Sequence, residues 1–459
     1  MNMHLHKTSG RSKWSLGLLG FFLLSLIWGL QVTPAKMAPE DIGDWEGTAP
    51  GNLLSTPGNN DAISPAIAYS PDGTVLAAVY LQYTGSFFTP YVRLSTNDGG
   101  SWSAPTAVSA SSTVNANWVD VTIDSNNKVH IVWLENSTLG QPSTVYYSNN
   151  IAGSWSSAQI LVQTTSIFQA AVIAPRIVSS PGNKLDVVWS QVFPDTQPQL
   201  NIMHRRSNNN GTSWGTLNPV AITAPNSFNP ILAVSTDGKI HVVWEEVEIV
   251  PPNLDYGRVR YAQGVVSGSG TTPSWNYNAS NPINLAHSSI DQASRPTIVA
   301  IGNKLYVAYN NRDGGEEAQE VWLTSCTVNC TSAANWISHP MNPVSGDPIG
   351  ANTQDPFYVI PDLVTYDNCL AAYYHGTDGN ASHPTEVVFG VNSCTGWGGH
   401  VDRATEFNTR ATYPRITSDG NWLQLVFELR DYPQTGDIQI YHRRRPVPDV
   451  LLAMPLNRR

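Results

Sequence analysis

Seven tryptophans, Trp45, Trp102, Trp155, Trp214, Trp275, Trp336 and Trp397, recur at intervals of 57, 53, 59, 61, 61 and 61 residues. A period of that length marks a chain built from stacked copies of one supersecondary unit. Each copy opens with a short apolar run behind a proline. Pro65-Ala-Ile67 leads through Asp72-Gly73 to Val75–Tyr80, and Pro230-Ile-Leu232 leads through Asp237-Gly238 to Ile240–Trp244. Pro175, Pro296 and Pro414 begin further copies, Trp118 stands in place of the proline in the second, and Pro356 opens the sixth. Short β-branched and aromatic runs separated by Asp-Gly or Gly-Asn turns are strand and hairpin signals. Each unit reads as four strands, which is one propeller blade.

The turn before several of the tryptophans has its own pattern. Ser95-Thr-Asn97-Asp-Gly99-Gly-Ser101-Trp102, Ser148-Asn-Asn150-Ile-Ala152-Gly-Ser154-Trp155 and Ser207-Asn-Asn209-Asn-Gly211-Thr-Ser213-Trp214 are three copies. Serine and asparagine bond nearby backbone and glycine accepts positive φ, so the pattern favours a tight hairpin turn. The tryptophan then serves as a large anchor for the blade edge. This pattern resembles the Asp-box, or bacterial neuraminidase repeat, S-x-D-x-G-x-S/T-W, of the sialidase-like β-propeller superfamily, with Asn in the Asp position.

Seven proline-type beginnings are present, but no tryptophan box follows the last. The missing piece lies at the other end, where Asp44-Trp45-Glu-Gly-Thr-Ala-Pro50 is similar to Ser101-Trp102-Ser-Ala-Pro105. The expected fold is therefore all-β: a seven-bladed propeller of four-stranded blades, spanning residues 44–445 and closed by its N-terminal strand, which removes exposed edges. The six-bladed ring of sialidases is the alternative. Charged residues at 13%, with 35 Gly and 32 Pro, suit a turn-dense β protein.

Residues 1–35 read as a signal peptide or uncleaved anchor: His4, His6, Lys7, Arg11 and Lys13 precede the apolar stretch 14–32, and Thr33-Pro-Ala35 offers a cleavage site. The expected location is thus secreted or extracytoplasmic, with membrane contact only if that segment stays. Losing Lys7, Arg11 and Lys13 would move the net charge from −10 to −13, which disfavours nucleic acid as a partner. Residues 446–459 form a C-terminal extension. Four cysteines in an exported chain point to disulfides. Cys369 and Cys394 fall at the same end of adjacent strands of unit six and are expected to pair, while Cys326 and Cys330 flank a box turn and could close a small loop.

Strand order puts the Asp-Gly turns and boxes on one face, and the blade-to-blade links on the other. That second face gathers charge, and loops on a rigid scaffold are where binding residues sit. Glu245, Glu246, Arg295, Arg312, Asp313, Glu428 and Arg430 are the candidate ligand-binding residues, suited to a polar, hydroxylated ligand such as a glycan. The superfamily resemblance implies three substrate-gripping arginines, the first in an F/Y-R-I-P motif two residues before the strand's proline. Here those positions hold Ile63, Ala116, Ile173, Phe228, Ser294, Gln354 and Thr412. Arg176 and Arg415 follow their prolines and Arg295 precedes its own, and strand alternation turns them to a different face. No catalytic residue is carried over, and the chain leans away from being an enzyme. Binding of a glycan or other extracellular ligand leads, with a glycoside hydrolase or lyase, or a protein-binding scaffold, as alternatives. No metal or other cofactor is expected apart from Ca²⁺ as a candidate for the oxygen-rich loop 310–317. His130 and His241 share a strand column with Asp186 and Tyr306, which marks a repeated structural position.

Overall fold

The structure is a computed structural model. It describes residues 45–46, 51–58, 60–108, 114–135, 143–164, 172–193, 199–222, 225–250, 254–285, 292–312, 319–340, 361–366, 369–376, 387–392, 402–403, 405, 409–431 and 436–447. All regular structure there is β apart from one turn of 3₁₀ helix, Ala333–Asn335.

The strands form six four-stranded sheets and one sheet of five, antiparallel meanders taken in chain order except that one receives its outermost strand from the N-terminus. Their first strands are Ala62–Tyr69, Ala116–Ile123, Val172–Ser180, Asn226–Val234, Gln292–Ile301, Asp362–Tyr366 and Thr409–Ser418. We number the sheets as blades one to seven in that order. Neighbouring first strands touch in sequence, and the last touches the first, so the sheets stand in a closed ring around a channel. In blade four, Ile283–Asn284 is the extra strand, pairing with the third strand beyond Ser274–Trp275.

Blade seven is completed from the N-terminus. Asn52 pairs with His442 and Leu53 with Tyr441, and the Glu46 N–H donates to the Arg444 carbonyl at 2.8 Å. The second strands explain the continuous apolar runs of the sequence. Val129–Glu135 and Leu76–Tyr83 are covered on both faces by the adjoining blades, so nearly every residue in them is buried. Eight apolar clusters result among the described residues, one for each pair of adjacent blades and a second, small one between blades three and four. One joins Val79, Leu81, Ile131 and Trp133, and the one at the closure joins Leu54, Tyr80, Val426 and Ile440.

The box turns form the hydrogen bonds their sequence implies. Ser95 Oγ accepts from the Gly99 N–H at 3.0 Å, and Asn97 Oδ1 accepts from the Ser101 N–H at 2.9 Å. Ser207 and Asn209 repeat both bonds with Gly211 and Ser213. Asparagine can replace aspartate because the acceptor oxygen is what the turn uses; its amide adds a bond to the Ser101 or Ser213 hydroxyl. Asn150 departs from this, its oxygen accepting instead from the Val129 N–H at 2.7 Å.

The tryptophans after these turns do more than hold their own blade edge. Trp102 meets His442 edge-on at 4.9 Å between ring centroids, Trp214 meets Tyr147 at 5.0 Å, Trp275 meets His204 at 5.3 Å and Trp336 meets Tyr261 at 4.9 Å. In each case the partner lies on the third strand of the preceding blade. That partner is in turn bonded across to the second strand: His130 to Tyr147, Asp186 to His204, His241 to Tyr261 and Gln424 to His442, all within 2.7–2.8 Å. The repeated histidine column is thus a buried polar stitch beneath the next blade's tryptophan. Trp45 packs against Tyr373 of blade six, Trp155 lies against the cluster between blades one and two, and Trp397 falls outside the described residues.

Cys326 and Cys330 form a disulfide across the blade-five turn, with Cα atoms 5.7 Å apart. Cys394 lies outside the described residues, as does the side chain of Cys369. Residues 1–44 and 448–459 also lie outside them, and among the described residues no helix is long and apolar enough to cross a membrane.

Candidate functional site

Five first strands carry the same irregularity. Ser64, Ala174, Asn229, Arg295 and Tyr413, each directly before a proline, have φ of 55°, 51°, 48°, 51° and 52°. The pairing register with the second strand shifts at every one of these points. A bulge of this kind inserts an extra residue, breaks the in-out alternation and re-aims side chains. Strict alternation turns Arg176, Arg295 and Arg415 away from the face of the position two residues before the proline; with the bulge in place, all three line one cavity. Pro361, rather than Pro356, takes the ring position in blade six, since Pro361 and Asp362 line that cavity beside Pro65, Pro230, Pro296 and Pro414.

The cavity is the channel mouth on the face of the blade-to-blade links and holds about 70 Å³. The opposite mouth, near the box turns, is wider at about 500 Å³ and lined by hydroxyls, among them Ser70, Thr122, Ser179 and Thr417.

Four charged groups converge at the first mouth. Arg176 Nη1 and Arg415 Nη2 each lie 3.5 Å from the same oxygen, Asp120 Oδ1, and Arg415 Nε lies 3.3 Å from Asp362 Oδ2. The carboxylates are fixed by the adjoining blades. Asp120 Oδ2 accepts from the Ile177 N–H at 3.0 Å, Asp362 Oδ2 from the Ile416 N–H at 2.9 Å, and Asp362 Oδ1 from the Thr297 hydroxyl at 3.3 Å. Asp120 and Asp362 are buried, whereas the two arginine side chains keep 19% exposure, toward the mouth. Burial and then the neighbouring Arg415 charge push the Arg176 guanidinium down to about 10. Burial also works against the Arg415 charge, but Asp362 and Asp120 outweigh it and raise that group above its ordinary value. Arg415 Nε is buried without a hydrogen bond, its contact with Asp362 being an ion pair only. Two cations close enough to repel, each held by long contacts, have donors to offer an incoming anion.

The residues expected to bind ligand take several positions. Arg295 lines the mouth. Glu245 lies behind it, its Oε2 accepting from the Arg295 N–H at 3.3 Å and from the Asn229 amide at 3.2 Å. Glu428 acts in the same way at the interface between blades seven and one, where its Oε1 accepts from the Ser64 N–H at 2.8 Å. Both carboxylates therefore hold a neighbouring blade's strained bulge. Glu246 is buried and paired with Arg260 at 2.7 Å. Arg430 lies 4.0 Å from Asp61. Arg312 ends the second strand of blade five, its side chain outside the described residues, and Asp313 is outside them altogether. Most of the loop 310–317 considered for Ca²⁺ lies outside them too; among the described residues no three His, Cys, Asp or Glu side chains gather as a metal site.

Asp120, Arg176, Asp362 and Arg415 are not among the residues that sequence reasoning selects. A signal for them exists nonetheless: four charges inside first strands of a chain that is only 13% charged, at the positions where other blades carry Ala66, Ile231 and Thr297.

Fold and mouth together define a closed all-β propeller with a cationic, aspartate-braced channel entrance. No family model matches the chain, and no curated protein matches it. Among solved structures it is similar to a protein of unknown function from Dyadobacter fermentans, at 9% identity and a TM-score of 0.50 over 86% of this chain and 97% of that one. The GH93 α-L-arabinofuranosidase of Fusarium graminearum in complex with arabinobiose gives 10% and 0.49 over 88% and 98%. The sialidase of Trypanosoma rangeli in complex with sialic acid gives 11% and 0.41 over 85% and 55%. At such identities the likeness is one of fold alone.

Proposed function

We propose that this propeller is an exported binding protein of the Asp-box superfamily that recognises an acidic glycan, a sugar bearing a carboxylate, at the channel mouth opposite the box turns. The observation that carries the reading is the pair of guanidinium groups, Arg176 and Arg415, braced by Asp120 and Asp362 with their remaining donors toward the cavity. A planar fork matches a carboxylate in geometry and charge. The Cys326–Cys330 disulfide and the signal-like N-terminus support export. Binding is favoured over hydrolysis because both mouth aspartates are committed to backbone N–H groups and guanidinium. A hydrolytic acid or base must instead reach the scissile bond.

The test is calorimetric titration of the purified protein with uronic-acid oligosaccharides and their neutral counterparts, beside a panel of aryl glycosides. Preference for the acidic sugars, falling at least tenfold in Arg176→Ala or Arg415→Ala, is the expected result. Equal affinity for neutral sugars would overturn the acidic specificity. Turnover of a glycoside that is lost in Asp120→Asn or Asp362→Asn would replace binding by hydrolysis.

A further inference from the structure

We infer that Thr297 is a positioning residue for this mouth: its hydroxyl holds Asp362 in the orientation that keeps the Arg415 fork available to the ligand; the inference rests on the acidic-glycan reading. Thr297, Asp362, Arg415, Asp120 and Arg176 occupy one register position in five blades, each paired with the second-strand residue that precedes an aromatic one. Thr297 is the neutral member of that set and is buried. Its hydroxyl donates to Asp362 Oδ1 at 3.3 Å. This is the one hydrogen-bond partner of Oδ1 among the described residues, because the Ile416 N–H donates to Oδ2 and Arg415 Nε lies nearest Oδ2.

A guanidinium beside a carboxylate ordinarily takes both oxygens, two parallel N–H bonds filling the fork. Neither aspartate offers Arg415 that match. Asp362 gives its Oδ1 to Thr297, and Asp120 gives its Oδ2 to the Ile177 N–H. Arg415 is left with one oxygen of each, at 3.3 and 3.5 Å, as ion-pair contacts only. Without the Thr297 hydroxyl, Asp362 can turn until both of its oxygens meet the guanidinium. A buried carboxylate oxygen does not stay unpaired when a donor is in reach. The fork is then filled from inside the protein and has less to offer a sugar carboxylate. Thr297 acts on the ligand through Asp362 and Arg415, three blades in succession.

The probe is methyl glucuronide, titrated by calorimetry into the purified protein. Thr297→Val removes the hydroxyl at nearly constant volume and should weaken binding about tenfold, whereas Thr297→Ser keeps the donor and should stay within about twofold of wild type. Thr297→Ala takes the same place if the valine variant does not fold. A threonine that merely stabilised its blade would act independently of Asp362, so the deciding measurement is a cycle with Asp362→Asn. In that background Thr297→Val should add no further loss. The positioning role is refuted if Thr297→Val binds as wild type does, if Thr297→Ser loses as much, or if the full loss recurs in the Asp362→Asn background. The arginine site stands in each of those cases so long as Arg415→Ala abolishes binding. Methyl glucuronide binding that is absent from the wild type, or insensitive to Arg415→Ala, overturns both readings.

Discussion

Acidification should weaken this protein well above the pH at which carboxylates titrate, because two stitches between second and third strands of a blade depend on neutral histidines. His442 is fully buried, with its Nε2 2.7 Å from Gln424 Oε1 and its ring against Trp102 of the next blade. Burial, helped by the charge of Arg444, pushes it down to about 3. His241 is buried between the Ser235 and Tyr261 hydroxyls, and burial lowers it to about 4, with Asp237 acting against the shift and Lys239 with it. In the unfolded chain both return to about 6.5. Between about pH 6.5 and 4 the unfolded state therefore takes up protons that the native state refuses, so stability rises with pH there and is lost on acidification. Each histidine contributes a slope of about 1.4 kcal/mol per pH unit. At pH 4.5 the loss is on the order of 2–3 kcal/mol per histidine, a sizeable part of a typical domain's margin. Denaturant unfolding at pH 7.5, 6.0, 5.0 and 4.5 reads the slope directly. His442→Gln should be less stable than wild type at pH 7.5 yet shallower by about one proton's worth of slope below pH 6. A variant with the wild-type slope would show that His442 takes up its proton in the folded state, and the stitch argument would fail.

Trp214→Ala should lower stability by about 3 kcal/mol, by removing a half-buried ring and its edge contact with Tyr147; glycan affinity at the far mouth should not change, and a selective loss of binding at constant melting temperature would put the ligand on the box face. Glu428→Gln keeps an acceptor for the Ser64 N–H and should retain both stability and binding, whereas Glu428→Ala strands that donor and should cost about 1–3 kcal/mol. Binding lost in Glu428→Gln at constant stability would return Glu428 to direct ligand contact.

The blades are legible in the sequence because their signals are local: a proline, two turns, a tryptophan, and apolar runs whose period sets the strand. Ring closure is legible for the same reason, since Trp45 is a displaced copy of a local pattern and the strand beside it pairs where that copy belongs, on 441–442. The mouth is not, and the bulges are why. Alternation assigns faces only while the pairing register holds, and each of these first strands slips at its proline. One extra residue there reverses which side chain reaches the channel, so Arg176 and Arg415 become inward groups although their spacing from the proline argues otherwise. Glu245 and Glu428 show a different limit. They lie beside the mouth, and charge on a loop face does not distinguish a group that meets a ligand from one that holds a strained N–H. Both cases share a cause. Across every blade interface that carries such a carboxylate, the bulge requires an acceptor from the preceding second strand, and meeting that demand draws the glutamates inward while the same bulge presents Arg295, Arg415 and Tyr413 to the mouth. The strained bulge is thus the structural unit from which the candidate site is built.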